Sequence, residues 1–155
     1  MTFREATEAD LPAIVALLAD DILGGAREHP GDPAYLSGFQ AMQARAGRIL
    51  LALDNQEIVA CLQLDILPGI SQRGMIRAQV EGVRVASTRR GAGIGAALLQ
   101  QAITQARQAG ATSMQLTTNQ ARTEAQRFYK HLGFIHSHAG MKLDLSLTAA
   151  KDGQA

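Results

Sequence analysis

Val83-Arg84-Val85, followed by Arg89-Arg90-Gly91-Ala92-Gly93-Ile94-Gly95-Ala96, is the stretch on which the reading of this chain turns. An alternating apolar segment runs into a glycine-rich loop. Ile94, Ala97, Leu98, Ala102 and Ala106 then recur at helical spacing until Gly110. Glycines let the backbone turn tightly and approach a ligand, so that successive N–H groups can converge on an anion. The helix adds its positive dipole end and amides that lack intrahelical partners. Arg89 and Arg90 bring positive charge to the same place. Together these features predict a phosphate cradle over residues 90–96.

The strand that feeds the loop changes parity. Ile76, Ala78 and Val80 are apolar at even positions, whereas Val83 and Val85 are apolar at odd ones. Side chains on a strand alternate faces with period two, so one extra residue must be absorbed to keep both sets on one face. Gly82 is the natural site for a β-bulge. Such a bulge would splay the strand from a neighbour and leave backbone N–H and C=O groups of residues 83–85 free for a ligand. The carboxylate of Glu81 would then stand beside the opening.

Working outward, residues 3–6 read as a strand, and Thr7 caps a helix carrying Leu11, Ile14, Val15 and Leu18. Gly24-Gly25 is expected to end that helix. Asp32-Pro33 opens a second helix with Leu36, Phe39 and Met42, closed by Gly47. Residues 49–53 and 58–66 flank a hairpin turn at Asp54-Asn55-Gln56, and Leu67-Pro68-Gly69 breaks the second of these strands. Residues 75–85 form the next strand and residues 114–118 another. Ala125, Phe128, Tyr129 and Leu132 make a short helical stripe ending at Gly133. Residues 134–135 and 141–147 are expected to be the last two strands. The order β-α-α-β-β-β-α-β-α-β-β predicts an α/β (α+β) fold, with a mixed, mostly antiparallel central sheet flanked by helices.

A length of 155 residues suits one domain. We expect it to span residues 1–147, with 148–155 as a flexible tail. The formal net charge of +1 argues against a general nucleic-acid or membrane-surface binder. Cys61, the single cysteine, sits in an apolar strand and reads as a reduced core thiol, which suits the cytoplasm. No apolar run reaches membrane-spanning length, so a soluble cytoplasmic protein is expected. Histidines and cysteine are not spaced as metal ligands, and no metal is expected.

A Walker A loop would need Gly-Lys-Ser/Thr, and here Gly95 is followed by Ala96-Ala97. A dinucleotide fold meets the relaxed fingerprint with Gly91, Gly93 and Ala96, but wants an acidic residue about 20 positions on. The next strand ends Leu116-Thr117-Thr118-Asn119, without one. The remaining option comes from a resemblance. Arg90-x-x-Gly93-x-Gly95 after Val83-Arg84-Val85 is similar to the pyrophosphate-binding motif of the GNAT superfamily of N-acetyltransferases. Asn119 and the segment Ala125-Gln126-Arg127-Phe128-Tyr129-Lys130-His131-Leu132-Gly133-Phe134 resemble the same family's downstream pattern.

The resemblance implies an acyltransferase that takes acetyl-CoA as co-substrate and passes the acetyl group to an amine of a small molecule or peptide in a ternary complex. It implies that Arg89, Arg90, Gly91, Ala92, Gly93, Gly95 and Ala96 hold the pyrophosphate. It also implies that the backbone at Val83 and Val85 pairs with the pantetheine arm and polarises the thioester carbonyl. Asn119 would contact the coenzyme. Tyr129 would be the general acid and Glu81 the general base, acting directly or through water. Each has a plainer rival: a core tyrosine, turn chemistry at Asn119, a solvated glutamate. Acceptor specificity is expected from the first two helices, residues 68–74 and residues 136–140. Arg73, Arg77 and Arg84 hint at an anionic group on the acceptor, though solvated arginines are commoner. A homodimer would fit the family. A coenzyme A-binding regulator without catalysis, or a nucleotide-dependent oxidoreductase, remains as an alternative.

Overall fold

A computed structural model describes residues 1–20 and 25–146. They fall into two compact units, one reaching Leu116 and one starting at Thr117. The expected helix end at Gly24 and the expected tail lie outside the described residues.

The first unit is built on a five-stranded sheet in the order β1-β2-β3-β4-β5: Thr2–Glu5, Arg48–Asp54, Glu57–Pro68, Ile76–Val85 and Ser113–Leu116. The first three pairings are antiparallel, and β5 runs parallel to β4. The fold is therefore the expected mixed, mostly antiparallel sheet. The β2–β3 turn uses Asn55 and Gln56, both at positive φ (48° and 72°), the backbone that a tight hairpin requires.

Helices cover both faces. α1 (Leu11–Ala19) packs on β3 and β4, and α4 (Ile94–Gln108) packs on β2, β3 and β4. α2 (Ala34–Gln43) brings Phe39 into a cluster with Ile14, Leu17, Leu51, Leu53 and Cys61. Between β3 and β4 lies α3, a single turn at Ser71–Gly74. Leu62, Leu64, Val80, Leu98 and Leu99 are sealed from solvent in the core.

The entry to α1 is fixed by charge. Arg4 donates from Nη1 and Nη2 to Asp10, each at 2.7 Å, while the Thr7 amide and hydroxyl donate to Asp10 Oδ2 at 2.8 and 3.0 Å. The hydrogen bonds from Arg4 hold the Asp10 carboxyl well below the usual carboxylate range, against the opposing effect of burial and with help from Thr7. A depressed pKa stabilises the fold above the unfolded value of about 4, and that stability is lost as pH falls towards the folded value. Asp10→Asn should therefore cost about 1.5–3 kcal/mol near neutral pH. It should also flatten the acid limb below about pH 4, measured by urea unfolding at stepped pH.

Cys61 is 2% exposed, and its thiol donates to Gly82 O at 3.8 Å. Burial pushes the thiol up to about 12, with Arg84 pulling weakly the other way. The thiolate is the reactive form, so iodoacetamide at pH 8 should leave the native protein unmodified and react fully once it is unfolded. Rapid native alkylation would contradict this burial.

The second unit departs from the expected order. It carries α5 (Thr123–His131), but neither residues 134–135 nor residues 141–146 form a strand. The Phe134 amide is spent on Tyr129 O (3.0 Å) and the Ile135 carbonyl accepts from Ser137 N (2.9 Å). Asp144 Oδ1 accepts from the amide and hydroxyl of Ser146. These local bonds compete with a ladder for the same groups. Met141, Leu143 and Leu145 keep the alternation of a strand, yet are 96%, 77% and 76% exposed.

Candidate active site

The expected bulge is present. Cys61 pairs with Arg84 and Gln63 with Glu81, so Leu62 faces two residues, Gly82 and Val83. Gly82 sits at φ 59°, the left-handed conformation that a bulge glycine supplies. On its other side β4 pairs with β5 only from Arg77 to Val80, and no β5 residue is in register with residues 81–85. The bulge thus lies just beyond the point where the two parallel strands stop pairing.

Two carbonyls in this stretch are not free, contrary to expectation. Val83 O accepts from Arg84 Nη1 at 2.8 Å and Val85 O from Arg90 Nε at 3.1 Å. A backbone group near a splay attracts whatever long donor can reach it.

Beyond Val85, a short 3-10 turn at Ser87–Arg89 leads into the glycine loop. Gly91 and Gly93 have φ of 81° and 77°, and a Cβ at either would meet nothing within 4 Å. The loop is therefore open where a phosphate would approach. The Ala97 amide bonds Gly93 O at 3.0 Å, so the amides of Ile94, Gly95 and Ala96 come before the intrahelical pattern of α4 begins. Gly95 is buried, which suits close packing of the helix start.

The two arginines do something the sequence did not announce. Arg89 pairs with Asp54 at 3.0 Å and Glu57 at 3.6 Å, both at the β2–β3 turn. Arg90 bonds Val85 O and, through Nη2, Asp20 O at 2.7 Å. Asp20 Oδ2 in turn accepts from the Ser87 amide at 2.6 Å. Their guanidinium groups tie the loop to α1 and to the hairpin. Asp20, at the end of α1, had no sequence signal beyond its polarity.

Glu81 is exposed and lines a cavity of about 580 Å³ between the sheet and the first two helices. Its walls include Leu11, Ile14, Val15 and Leu18 from α1, Tyr35, Phe39 and Met42 from α2, and Gln63, Asp65 and Gln79 from the sheet. The first two helices thus flank Glu81. Residues 68–74 do not line this cavity, and neither do Arg73, Arg77 or Arg84. The hint of an anionic acceptor drawn from those arginines finds no place in its walls.

Asn119 and Tyr129 belong to the second unit. Asn119 Oδ1 accepts from the Ala121 amide at 2.9 Å, a turn that leads into α5. Tyr129 stacks edge-on with Phe128 and Phe134, ring centroids 5.2 and 5.7 Å apart. Two members of the expected apolar stripe of α5, Phe128 and Tyr129, thus join Phe134 beyond the helix in a group of half-buried rings. Among the described residues, no group of three or more His, Cys, Asp and Glu is placed to hold a metal ion, and no helix is long and apolar enough to cross a membrane.

Residues 8–134 match the model of the acetyltransferase (GNAT) family. The chain belongs to the acetyltransferase (GNAT) family. It is an acetyl-CoA-dependent N-acetyltransferase by class. Over 136 residues it is 32% identical to an aminoalkylphosphonate N-acetyltransferase of Salmonella typhimurium, covering 87% of this chain and 85% of that one. Among solved structures it resembles a transcriptional regulator from Bacillus halodurans C-125, at 41% identity and a TM-score of 0.87 over 92% and 98% of the two chains. It also resembles an acetyltransferase of Trypanosoma brucei, at 26% identity and a TM-score of 0.74 over 93% and 99%.

Proposed function

We propose that this GNAT protein transfers the acetyl group of acetyl-CoA to a primary amine of a small molecule by direct attack in a ternary complex, with residues 1–147 as one catalytic domain. The observation that carries the reading is the unbroken run from Glu81 through the bulge to the open end of α4. That run lines up a base, an unpaired strand edge and an anion site in one piece of backbone.

The amides of the loop, from Arg90 to Ala96, hold the pyrophosphate against the start of α4. The backbone at Val83 and Val85 receives the pantetheine arm and polarises the thioester carbonyl, a task for fixed donors. For the two carbonyls to take part, Arg84 and Arg90 must let go of them. Arg89 and Arg90 then contribute through the loop they brace and the field they supply.

Glu81 takes the proton of the acceptor's ammonium group, directly or through water, because only the neutral amine attacks. The amine nitrogen forms its bond to the thioester carbon and the carbon–sulfur bond breaks, while the second proton shed by that nitrogen leaves to water and balances the one delivered to the thiolate. Tyr129 keeps the role implied by its match to the family's helix pattern, giving a proton to the departing thiolate. Asn119 keeps a coenzyme contact by the same argument, although its side-chain oxygen serves the α5 turn.

A second reading, a coenzyme A-binding regulator, draws on the similarity to the Bacillus halodurans transcriptional regulator. One experiment separates them. Purified protein with acetyl-CoA and a panel of primary amines should release free thiol in step with acetylated product. Coenzyme binding without thiol release from any amine would favour the regulator.

A further inference from the structure

The cavity beside Glu81 contains a second carboxylate that the roles above leave unused. Asp65 lies on β3 opposite Gln79, and Gln63, two residues before it, lies opposite Glu81. The period-two alternation puts Asp65 and Glu81 on one face as diagonal neighbours across the two strands. Both line the cavity.

Asp65 is half-buried, and its Oδ2 accepts from Gln63 Nε2 at 2.7 Å. Neither Asp65 nor Glu81 has an ion-pair partner among the described residues. Gly47 makes room for the carboxylate: a Cβ there would strike Asp65 Oδ1 and come within 2.6 Å of Met42 Cγ. The charged groups in the cavity wall are Arg45, Asp65 and Glu81, one positive against two negative. A carboxylate drawn partly out of water and left without a counter-charge costs free energy that a bound cation would recover.

We infer that Asp65 is a specificity-determining residue that holds a second ammonium group of the acceptor. The acceptor is then a short α,ω-diamine, with one amine reacting beside Glu81 and the other resting on Asp65. This rests on the acetyl-transfer reading above. Diagonal cross-strand neighbours stand about 7–8 Å apart, a span that a few methylenes bridge. Leu11, Ile14 and Leu18 offer those methylenes an apolar wall. A monoamine would leave Asp65 without a cationic partner. An aminoalkylphosphonate would bring an anion into a wall with two carboxylates and only Arg45 to meet it. The expected specificity therefore departs from that of the Salmonella typhimurium relative.

The test is thiol release from acetyl-CoA by the full-length protein with 1,4-diaminobutane, 1-aminobutane and 2-aminoethylphosphonate. The diamine should lead both others in kcat/KM by about tenfold or more, the scale of one hydrogen-bonded charge contact. In Asp65→Asn the KM for the diamine should rise and the diamine-to-monoamine ratio should fall towards one, with Asp65→Glu restoring part of it. The wild-type ratio needs no variant and stands if a variant fails to fold. Equal or better use of the monoamine or the phosphonate overturns the role of Asp65 and leaves acetyl transfer standing. Thiol release by none of the amines counts against acetyl transfer itself. In that case calorimetric titration with 1,4-diaminobutane decides for Asp65: binding weakened in Asp65→Asn supports it, and equal or absent binding overturns it.

Discussion

Replacing Glu81 with glutamine is expected to lower kcat for acetyl transfer by about 10²–10⁴, the range associated with loss of a general base. KM for acetyl-CoA should stay near the wild-type value, because the loop that would hold the pyrophosphate lies several residues further on. An alkylamine with a pKa near 10 is almost wholly protonated at pH 7, and the variant must wait for the rare neutral form. Its rate should therefore climb by about tenfold per pH unit between pH 7 and 9, while the wild-type profile is flatter over that range. Glutamine keeps the size and hydrogen-bonding reach of glutamate, and the side chain is exposed, so unfolding will not mimic the effect. Stopped-flow thiol detection across pH measures it. A wild-type kcat in the variant would remove Glu81 from the mechanism.

Gly93→Asp is the second large effect. Gly93 caps α4 from the left-handed region (φ 77°), a conformation that aspartate tolerates better than most residues. The strained backbone should cost roughly 1 kcal/mol of stability, partly offset by a carboxylate at a helix start, so the variant should fold with a modestly lowered melting temperature. The coenzyme should suffer, because the new negative charge occupies the position proposed for its pyrophosphate. Like charges brought together in a binding site cost several kcal/mol, so affinity for coenzyme A should fall by about a hundredfold or more. Calorimetric titration reads the affinity and thermal unfolding reads the fold. Unaltered affinity in a folded variant would move the pyrophosphate site away from the loop.

Much of this site was legible because it rests on periodic signals. The parity break around Gly82 is an arithmetic property of a strand, and the register of Cys61 and Gln63 against β4 shows the extra residue where the count required it. The glycines at 91 and 93 announce positive φ in the same local way. What stayed hidden depends on where long or solvent-facing groups go. Nothing in Arg89-Arg90 tells that one guanidinium reaches Asp54 and Glu57 while the other reaches Asp20 O. Asp65 was readable as a polar residue at an odd strand position. Its place in the cavity wall needed α2 and the bare backbone of Gly47.

The last two expected strands show the opposite failure. Met141, Leu143 and Leu145 alternate like a strand, but alternation describes side chains, and a strand is made by backbone partners. Here Asp144 takes the Ser146 amide, and Phe134 spends its own amide on the end of α5.

The buried thiol of Cys61 has a practical consequence. A protein whose one cysteine is shielded and hard to ionise gives no background in an assay that counts liberated sulfhydryls. It is also a ready host for site-directed labels. Exposed positions such as Gln100 on α4 and Lys130 on α5 could each take an introduced cysteine. A pair of spin labels there would report the distance between the two units before and after the coenzyme is added.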